Sequence, residues 1–202
     1  MTYFPSYDGI ISMSQLQLSK WDLFEPYMDF IARLMTYPAG PSQTEKEIIA
    51  AYCSLLNACD FCYGAHKNVC MALGVDEGLF RQLVDDIDTA PVDDKLKPVL
   101  RYVRKLTLTP DRMTDDDAKA CYRAGWSEED LTLAITVCAS WNWFNRMILG
   151  HGIDKKWDET IFRERKAPEL MSQVGYAGYY KMMVEQGFAD TSGPKRMPPP
   201  EV

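Results

Sequence analysis

The chain has 202 residues, of which 47% are hydrophobic and 25% are charged, and its formal net charge is −7. This length and apolar content are sufficient for one globular unit with a substantial core. The acidic balance disfavours a nucleic-acid or anionic-membrane partner, because both require clustered Lys and Arg. Small molecules and other protein chains are therefore the expected partners.

The first residues, MTYFPSYDGIISMSQ, lack the basic segment and apolar run of a secretory signal. No segment approaches the roughly 20 apolar residues of a membrane-spanning helix. We therefore expect a cytoplasmic protein with no membrane partner. In a reducing compartment, the six cysteines indicate buried thiols, metal ligands or redox chemistry rather than structural disulfides.

Apolar residues recur at helical spacing, and no β-rich segment is bounded by hairpin turns, so the sequence predicts an all-α fold. Residues 1–20 lack a clear period and are expected to form an extended N-terminal arm. A first helix of about 15 residues is predicted to end before Pro38. Ser42 and Glu45 then form a capping box, which predicts a helix over 43–56.

The cysteine-rich segment is predicted to be helical from about Asn57 to Leu73. Ser127 opens the longest helix, which ends at Gly150–His151–Gly152 and should be central or lie in a subunit interface, because it is apolar around most of its circumference. Shorter helices are predicted near 77–84, 92–108, 114–124 and 167–186.

These elements predict three regions: an N-terminal arm over 1–20, a helical domain over 21–152 and a C-terminal extension over 153–202. The end of the extension, TSGPKRMPPPEV, is expected to be poorly ordered. Its aromatic portion, GYAGYYKMM, is expected to dock on the body or on a neighbouring subunit.

Four potential metal ligands, Cys59, Cys62, His66 and Cys70, fall on one stripe of a helix. Their span is about 16 Å along a continuous helix, which is too long for four ligands of one ion. The first three could bind a metal only with an added carboxylate, so no metal site is predicted. Free cysteine packs as a small hydrophobe, which is the interpretation preferred for Cys53, Cys70, Cys121 and Cys138.

Cys59 and Cys62 form a C-x-x-C pair at a predicted helix start, where unpaired backbone N–H groups stabilise a thiolate. His66 lies one turn beyond Cys62 and could take its proton directly or through water. The helix terminus favours Cys59 as the thiolate, whereas proximity to His66 favours Cys62. Cys53 and Cys70 lie near this dithiol in sequence and could be oxidised secondarily.

The segment EIIAAYCSLLNACDFCYGAHKNVCMALG resembles the signature of the carboxymuconolactone decarboxylase and alkylhydroperoxidase D-like superfamily, particularly its peroxidase-related branch. Glu47 stands 12 residues before Cys59, as in that signature. The resemblance continues through LKPVLRYVRKLTLTPDRMTDDDAKACYRAGWSEEDLTLAITVCASWNWFNRM and covers roughly residues 20–150. It implies an alkylhydroperoxidase D-like helical fold and a homo-oligomer, a trimer or hexamer.

The resemblance also implies thiol-dependent reduction of an organic hydroperoxide, or disulfide oxidoreduction by the same dithiol. In that chemistry Cys62 attacks the peroxide, Cys59 resolves the sulfenic acid as a disulfide, and Glu47 and His66 relay protons. An external dithiol must then reduce the disulfide. No cofactor is implied.

Phe61 departs from the best-known alkylhydroperoxidase D pattern, which has a histidine next to the second cysteine. One alternative is a lactone or carbonyl enzyme of the decarboxylase type that uses Glu47 and His66 as acid and base. Another is a non-catalytic redox sensor whose dithiol switches packing or assembly.

Residues of the longest helix are predicted to serve the core or an interface rather than a substrate wall: Trp141, Trp143 and Phe144. Asn145 and Arg146 are predicted either to support the site or to hold subunits together. His151 is predicted to belong to the helix stop.

Overall fold

A computed structural model describes residues 2–7, 10, 12–154, 158, 160 and 167–187. Within them the secondary structure is helical and no strand is present, which confirms the all-α prediction. The helices are α1 (Met13–Leu18), α2 (Trp21–Thr36), α3 (Gln43–Leu56), α4 (Asp60–Ala72), α5 (Leu79–Asp85), α6 (Leu96–Leu108), α7 (Asp115–Arg123), α8 (Glu128–His151) and α9 (Ala167–Glu185).

Side-chain caps explain why the major helices begin and end close to the predicted residues. The Ser42 side chain accepts the backbone N–H of Glu45 at the start of α3, and Ser127 caps α8 in the same way. Gly152 ends α8 in the left-handed region with φ 70°, a conformation that costs glycine little. His151 is the last residue of that helix, as predicted.

Helix α8 is central and packs on α2, α3, α4 and α6. Its buried side chains include Leu131, Val137, Trp141 and Ile148, while α3 is buried almost continuously between Lys46 and Ser54. The core therefore lies around α3 and α8, and α4 is held against both. Of the helices in the described ranges, none is long and apolar enough to cross a membrane.

The prediction that residues 1–20 form an extended arm is wrong for the segment before α2. Ser12 caps the six-residue helix α1, whose Leu16 and Leu18 are buried. A helix of this length spans less than two turns and is too short to display an apolar period. Packing against the rest of the chain stabilises it.

Helix α9 belongs to the C-terminal extension and packs on α2 and α4. Its helical dihedral angles are interrupted at Gly175, with φ 66° and ψ −178°. Tyr176 and Tyr180 follow this break and are both buried. The aromatic segment therefore docks on the body of its own chain. The division into arm, domain and extension stays a prediction, and the tail predicted to be poorly ordered lies in 188–202, outside the described residues.

Tyr180 joins α9 to α1, since its hydroxyl donates to the side-chain carbonyl of the buried Gln17. The amide of Gln17 in turn donates to the sulfur of Met28, 2.7 Å away. The two ends of the described chain therefore meet through a buried polar contact.

We expect Tyr180→Phe to lower the free energy of unfolding by about 1–3 kcal/mol, because it leaves the buried Gln17 carbonyl without its donor. Urea denaturation measures this change. Tyr179→Phe is the matched control, with a partly exposed ring and an expected change within about 0.5 kcal/mol. Equal losses in both variants would contradict the role given to the Tyr180 hydroxyl.

Candidate active site

The candidate site is built on the hairpin of α3 and α4. Ala58 has φ 51° in the connecting turn, and Cys59 takes the N-cap position of α4. The turn is closed by a hydrogen bond from the backbone N–H of Cys59 to the carbonyl of Ser54. This sharp reversal brings the start of α3 alongside the middle of α4.

Glu47 on α3 and His66 on α4 are brought together by this reversal. The distance between Glu47 Oε2 and His66 Nδ1 is 2.7 Å, and the two residues are 1% and 8% exposed. Glu47 is therefore not a solvated surface charge. Burial of a carboxylate is costly unless hydrogen-bond donors compensate it. Supplying one of these donors is the first role of His66.

Tyr176 of α9 completes this cluster. Its hydroxyl donates to Glu47 Oε1 at 3.1 Å and lies 3.2 Å from His66 Nδ1. Burial, followed by the nearby negative charge of Glu47, raises the pKa of Tyr176 well above its usual value. The tyrosine therefore stays protonated and acts as a donor to the carboxylate.

Trp141 of α8 sets the tautomer of His66. Its indole N–H donates to His66 Nε2, and an indole can only donate. Nε2 is therefore the unprotonated nitrogen, and Nδ1 carries the proton that faces Glu47. Trp141 is buried as predicted, and it also contacts His66. Both ring nitrogens of His66 are therefore hydrogen-bonded, one to Trp141 and the other to Glu47.

Cys59 and Cys62 lie at the N-terminal end of α4 as free thiols. No disulfide joins them, and Cys59 lies close enough to Cys62 to affect its ionisation. Burial, followed by the neighbouring Cys59, raises the pKa of Cys62 well above its usual value. The resting Cys62 is therefore a thiol, because desolvation outweighs the helix terminus.

Two further residues act on Cys62 in opposite directions. Asn145 hydrogen-bonds the sulfur and lowers the pKa of Cys62, whereas the negative charge of Asp154 raises it. Asp154 Oδ1 also accepts the backbone N–H of Phe61 at 2.7 Å. One of the first-turn donors expected to stabilise a thiolate is therefore already bonded to a carboxylate.

The predicted site residues thus form two adjacent clusters on α4. Glu47 and His66 are hydrogen-bonded to each other, and Cys59 and Cys62 are neighbouring free thiols at the start of α4. Among the hydrogen bonds of the described residues, none joins His66 or Glu47 to either thiol. The assignment of these four residues to one catalytic relay stays a prediction.

Sequence reasoning did not identify Tyr176 and Asp154 as members of the site. Both lie beyond the segment that resembles the superfamily, and no local pattern points to them. Asn145 was considered as a supporting residue, and the structure places it between Cys62 and Ser54. Within the described ranges, no group of three or more His, Cys, Asp or Glu side chains could hold a metal ion.

The tautomer of His66 is directly testable, because the chain has only two histidines. Long-range proton–nitrogen NMR should show His66 neutral with its proton on Nδ1. In Trp141→Phe the Nε2 resonance should shift because it loses a donor, while Trp143→Phe should leave it in place. A proton found on Nε2 in the wild-type chain would contradict the arrangement.

No family model matches the sequence, and no curated protein matches it significantly. Among solved structures, an uncharacterized peroxidase-related protein from Silicibacter sp. TM1040 is 23% identical with a TM-score of 0.60, covering 65% of this chain and 69% of that one. An alkylhydroperoxidase AhpD core, an uncharacterized peroxidase-related protein from Ralstonia eutropha JMP134, is 21% identical with a TM-score of 0.61, covering 66% and 70%. These likenesses show that the chain has the AhpD-like all-α fold that its sequence resemblance predicts.

Proposed function

We propose that this chain is a thiol-dependent peroxidase that reduces an organic hydroperoxide through Cys59 and Cys62. The observation that carries the proposal is the pair of free thiols, Cys59 and Cys62, at the start of α4, the helix that also carries His66 of a buried carboxylate–imidazole pair. The AhpD-like fold of the peroxidase-related proteins supports the same chemistry. Disulfide oxidoreduction by the same dithiol is the related activity.

The proposed cycle begins when Cys62 loses its proton and its thiolate attacks one oxygen of the hydroperoxide. A sulfur–oxygen bond forms, the oxygen–oxygen bond breaks, and the leaving alkoxide takes a proton to become an alcohol. Cys59 then attacks the sulfur of the sulfenic acid, a disulfide forms, and the hydroxyl leaves as water. An external dithiol returns two electrons and two protons to restore the thiols.

Two observations favour Cys62 as the attacking residue. It is 5% exposed whereas Cys59 is 0% exposed, so an incoming oxidant reaches Cys62 more readily. Asn145 also lowers the pKa of Cys62, because an amide donor interacts more strongly with the sulfur when it is charged. Cys59, packed behind it, is suited to the resolving step.

We assign proton storage to Glu47 and His66, with Tyr176 as their partner. Trp141 occupies Nε2 of His66 and Glu47 accepts from Nδ1. Direct transfer from Cys62 therefore requires release of one of these bonds, or a water between the thiol and the cluster. Phe61 supplies no proton-transfer group in place of the histidine found there in the best-known pattern.

The proposed partners are a small hydroperoxide and an external dithiol. We also propose a homo-oligomer, a trimer or hexamer, in a cytoplasmic setting. Leu23 and Phe30 on α2 are 69% and 44% exposed. Exposed large apolar side chains of this kind are what a subunit contact would cover.

Stopped-flow mixing of the reduced chain with cumene hydroperoxide should consume two thiols per chain in its first phase. Cys62→Ser should abolish that phase, and Cys59→Ser should leave a sulfenic acid that dimedone traps. Cys121→Ser is the control, since that buried thiol lies outside the dithiol and should leave the phase unchanged. Retention of both free thiols after mixing would rule out the proposed cycle.

A second candidate function is acid–base chemistry on a lactone or carbonyl compound. One observation favours it. Glu47, His66 and Tyr176 lie within hydrogen-bond distance of one another, and none of the described hydrogen bonds links them to the dithiol. A Cys59→Ser/Cys62→Ser variant separates the two candidates, because it would keep full activity on such a substrate and lose all dithiol-dependent peroxide reduction.

Because burial raises the pKa of Cys62 above the ordinary thiol value near 9.0, its thiolate fraction should increase about tenfold per pH unit between pH 7 and 9. The first-phase rate should rise with it. Asp154→Asn keeps an oxygen for the Phe61 N–H but removes the charge that raises the pKa of Cys62. At fixed pH, each unit by which the pKa of Cys62 falls gives about ten times more thiolate, but that thiolate is less nucleophilic. The net rate should therefore increase about threefold per unit.

Asp60→Asn removes an exposed carboxylate from the same helical turn and serves as the matched control. A rate that is constant between pH 7 and 9 would show a low-pKa thiolate. Equal effects of the Asp154 and Asp60 substitutions would show that the charge of Asp154 has no special role.

A further inference from the structure

A second pair of thiols, separate from the C-x-x-C dithiol, lies between α3 and α8. Cys53 and Cys138 are both 0% exposed, and the Cys53 sulfur lies 3.7 Å from the backbone carbonyl oxygen of Cys138. Both sulfurs also lie within hydrogen-bond distance of Thr107 Oγ1 on α6, at 3.5 Å for Cys53 and 3.4 Å for Cys138. These residues are distant in sequence, and neither thiol is in a disulfide.

Asn142 directs its amide donors at this pair. Its Nδ2 lies 3.0 Å from the Cys53 sulfur and 3.5 Å from the Cys138 sulfur. The orientation follows from its other end, because Asn142 Oδ1 accepts from the guanidinium of Arg146 at 2.8 Å and from the amide of Asn57 at 3.1 Å. The nitrogen must therefore face the sulfurs.

This environment shifts the pKa values of the two thiols in opposite directions. The neighbouring Cys53 thiol, Thr107 and Asn142 lower the pKa of Cys138, against the opposing effect of burial. The pKa of Cys53 is raised, because its ionisation would place a second negative charge beside Cys138 and because it is buried. Arg146 adds a nearby positive charge. Cys138 is thus the thiol of the pair that ionises more readily, and Cys53 lies beside it as the thiol that can complete a disulfide.

The other buried cysteines outside the C-x-x-C motif lack this arrangement. Burial raises the pKa of Cys121 to about 11, and burial together with Glu47 raises the pKa of Cys70 further. Among the described residues, neither Cys70 nor Cys121 shares a hydrogen-bond donor with a second cysteine. The packing interpretation suits Cys70 and Cys121 but leaves the donors around Cys53 and Cys138 unexplained.

We propose that Cys53 and Cys138 are a second redox-active pair, which a hydroperoxide oxidises to a disulfide between α3 and α8. The Cys138 thiolate attacks an oxygen of the hydroperoxide, so that a sulfur–oxygen bond forms and the oxygen–oxygen bond breaks, and the released alkoxide takes a proton and leaves as the alcohol. The Cys53 thiol then attacks the resulting sulfenic acid, and water leaves as the sulfur–sulfur bond forms. One hydroperoxide is reduced by two electrons, and the two thiols supply them.

Solvent is close to this pair although the sulfurs are buried. Asn142 contacts both sulfurs and is itself partly exposed, and Arg146 beyond it is exposed. A small oxidant therefore has to pass one side-chain layer. This reaction does not depend on the dithiol of α4, so it goes beyond the proposed function.

The test uses a Cys59→Ser/Cys62→Ser variant, which retains four cysteines. After treatment with hydrogen peroxide, we expect two of the four thiols to be lost and mass spectrometry of a non-reducing digest to find the peptides of Cys53 and Cys138 linked. In the wild-type chain, four thiols should be lost in two phases, with both pairs linked. Asn142→Leu should slow formation of the Cys53–Cys138 link at least about tenfold, because it removes the amide that stabilises the thiolate.

Cys70→Ser and Cys121→Ser, each placed in the double variant, are the controls and should leave the loss of two thiols unchanged. The wild-type digest requires no substitution, so the proposal can be judged even if a variant fails to fold. Persistence of free Cys53 and Cys138 after the dithiol has been oxidised and the excess peroxide has been left to react would overturn it. A link from either residue to a different cysteine would overturn it as well.

Discussion

The buried carboxylate of Glu47 is the constraint on which the site depends. Glu47 is 1% exposed, so its carboxylate has to be compensated by donors from other helices. His66 supplies one from α4 and Tyr176 supplies another from α9, while Trp141 of α8 holds the far side of the imidazole. Four helices therefore converge on one charge, and the position of α4 follows from that convergence.

A second polar element runs through the same apolar core. Asn57 donates to both Asn142 and Asn145 at the end of α3. Asn142 serves the pair formed by Cys53 and Cys138, and Asn145 serves Cys62. Asn142 thus places a donor beside Cys53 and Cys138, and Asn145 acts on Cys62. Amides suit this task, because they donate at all pH values and cannot compete with a cysteine for a proton.

Much of the fold could be predicted because its signals are local. Capping residues and helix stops are read within one turn of the chain, and the predicted helix over 43–56 coincides with α3. The short helix α1 could not be predicted in this way, because its stability comes from burial of Leu16 and Leu18 rather than from a period. The same limit applies to Cys53 and Cys138, which were predicted to pack in the core. They are 85 residues apart in sequence, and only the packing of α3 on α8 brings them together.

By itself, the sequence determined the helical architecture and the presence of a C-x-x-C pair at a helix start, with a histidine one turn later and a glutamate on the preceding helix. The tertiary structure alone decided what surrounds these residues. Tyr176 lies 129 residues from the Glu47 that it contacts, and Asp154 reaches the start of α4 from beyond α8. Helical periodicity and capping report only on neighbours within a few residues, whereas pKa values and tautomers depend on every group that packing brings within a few ångströms.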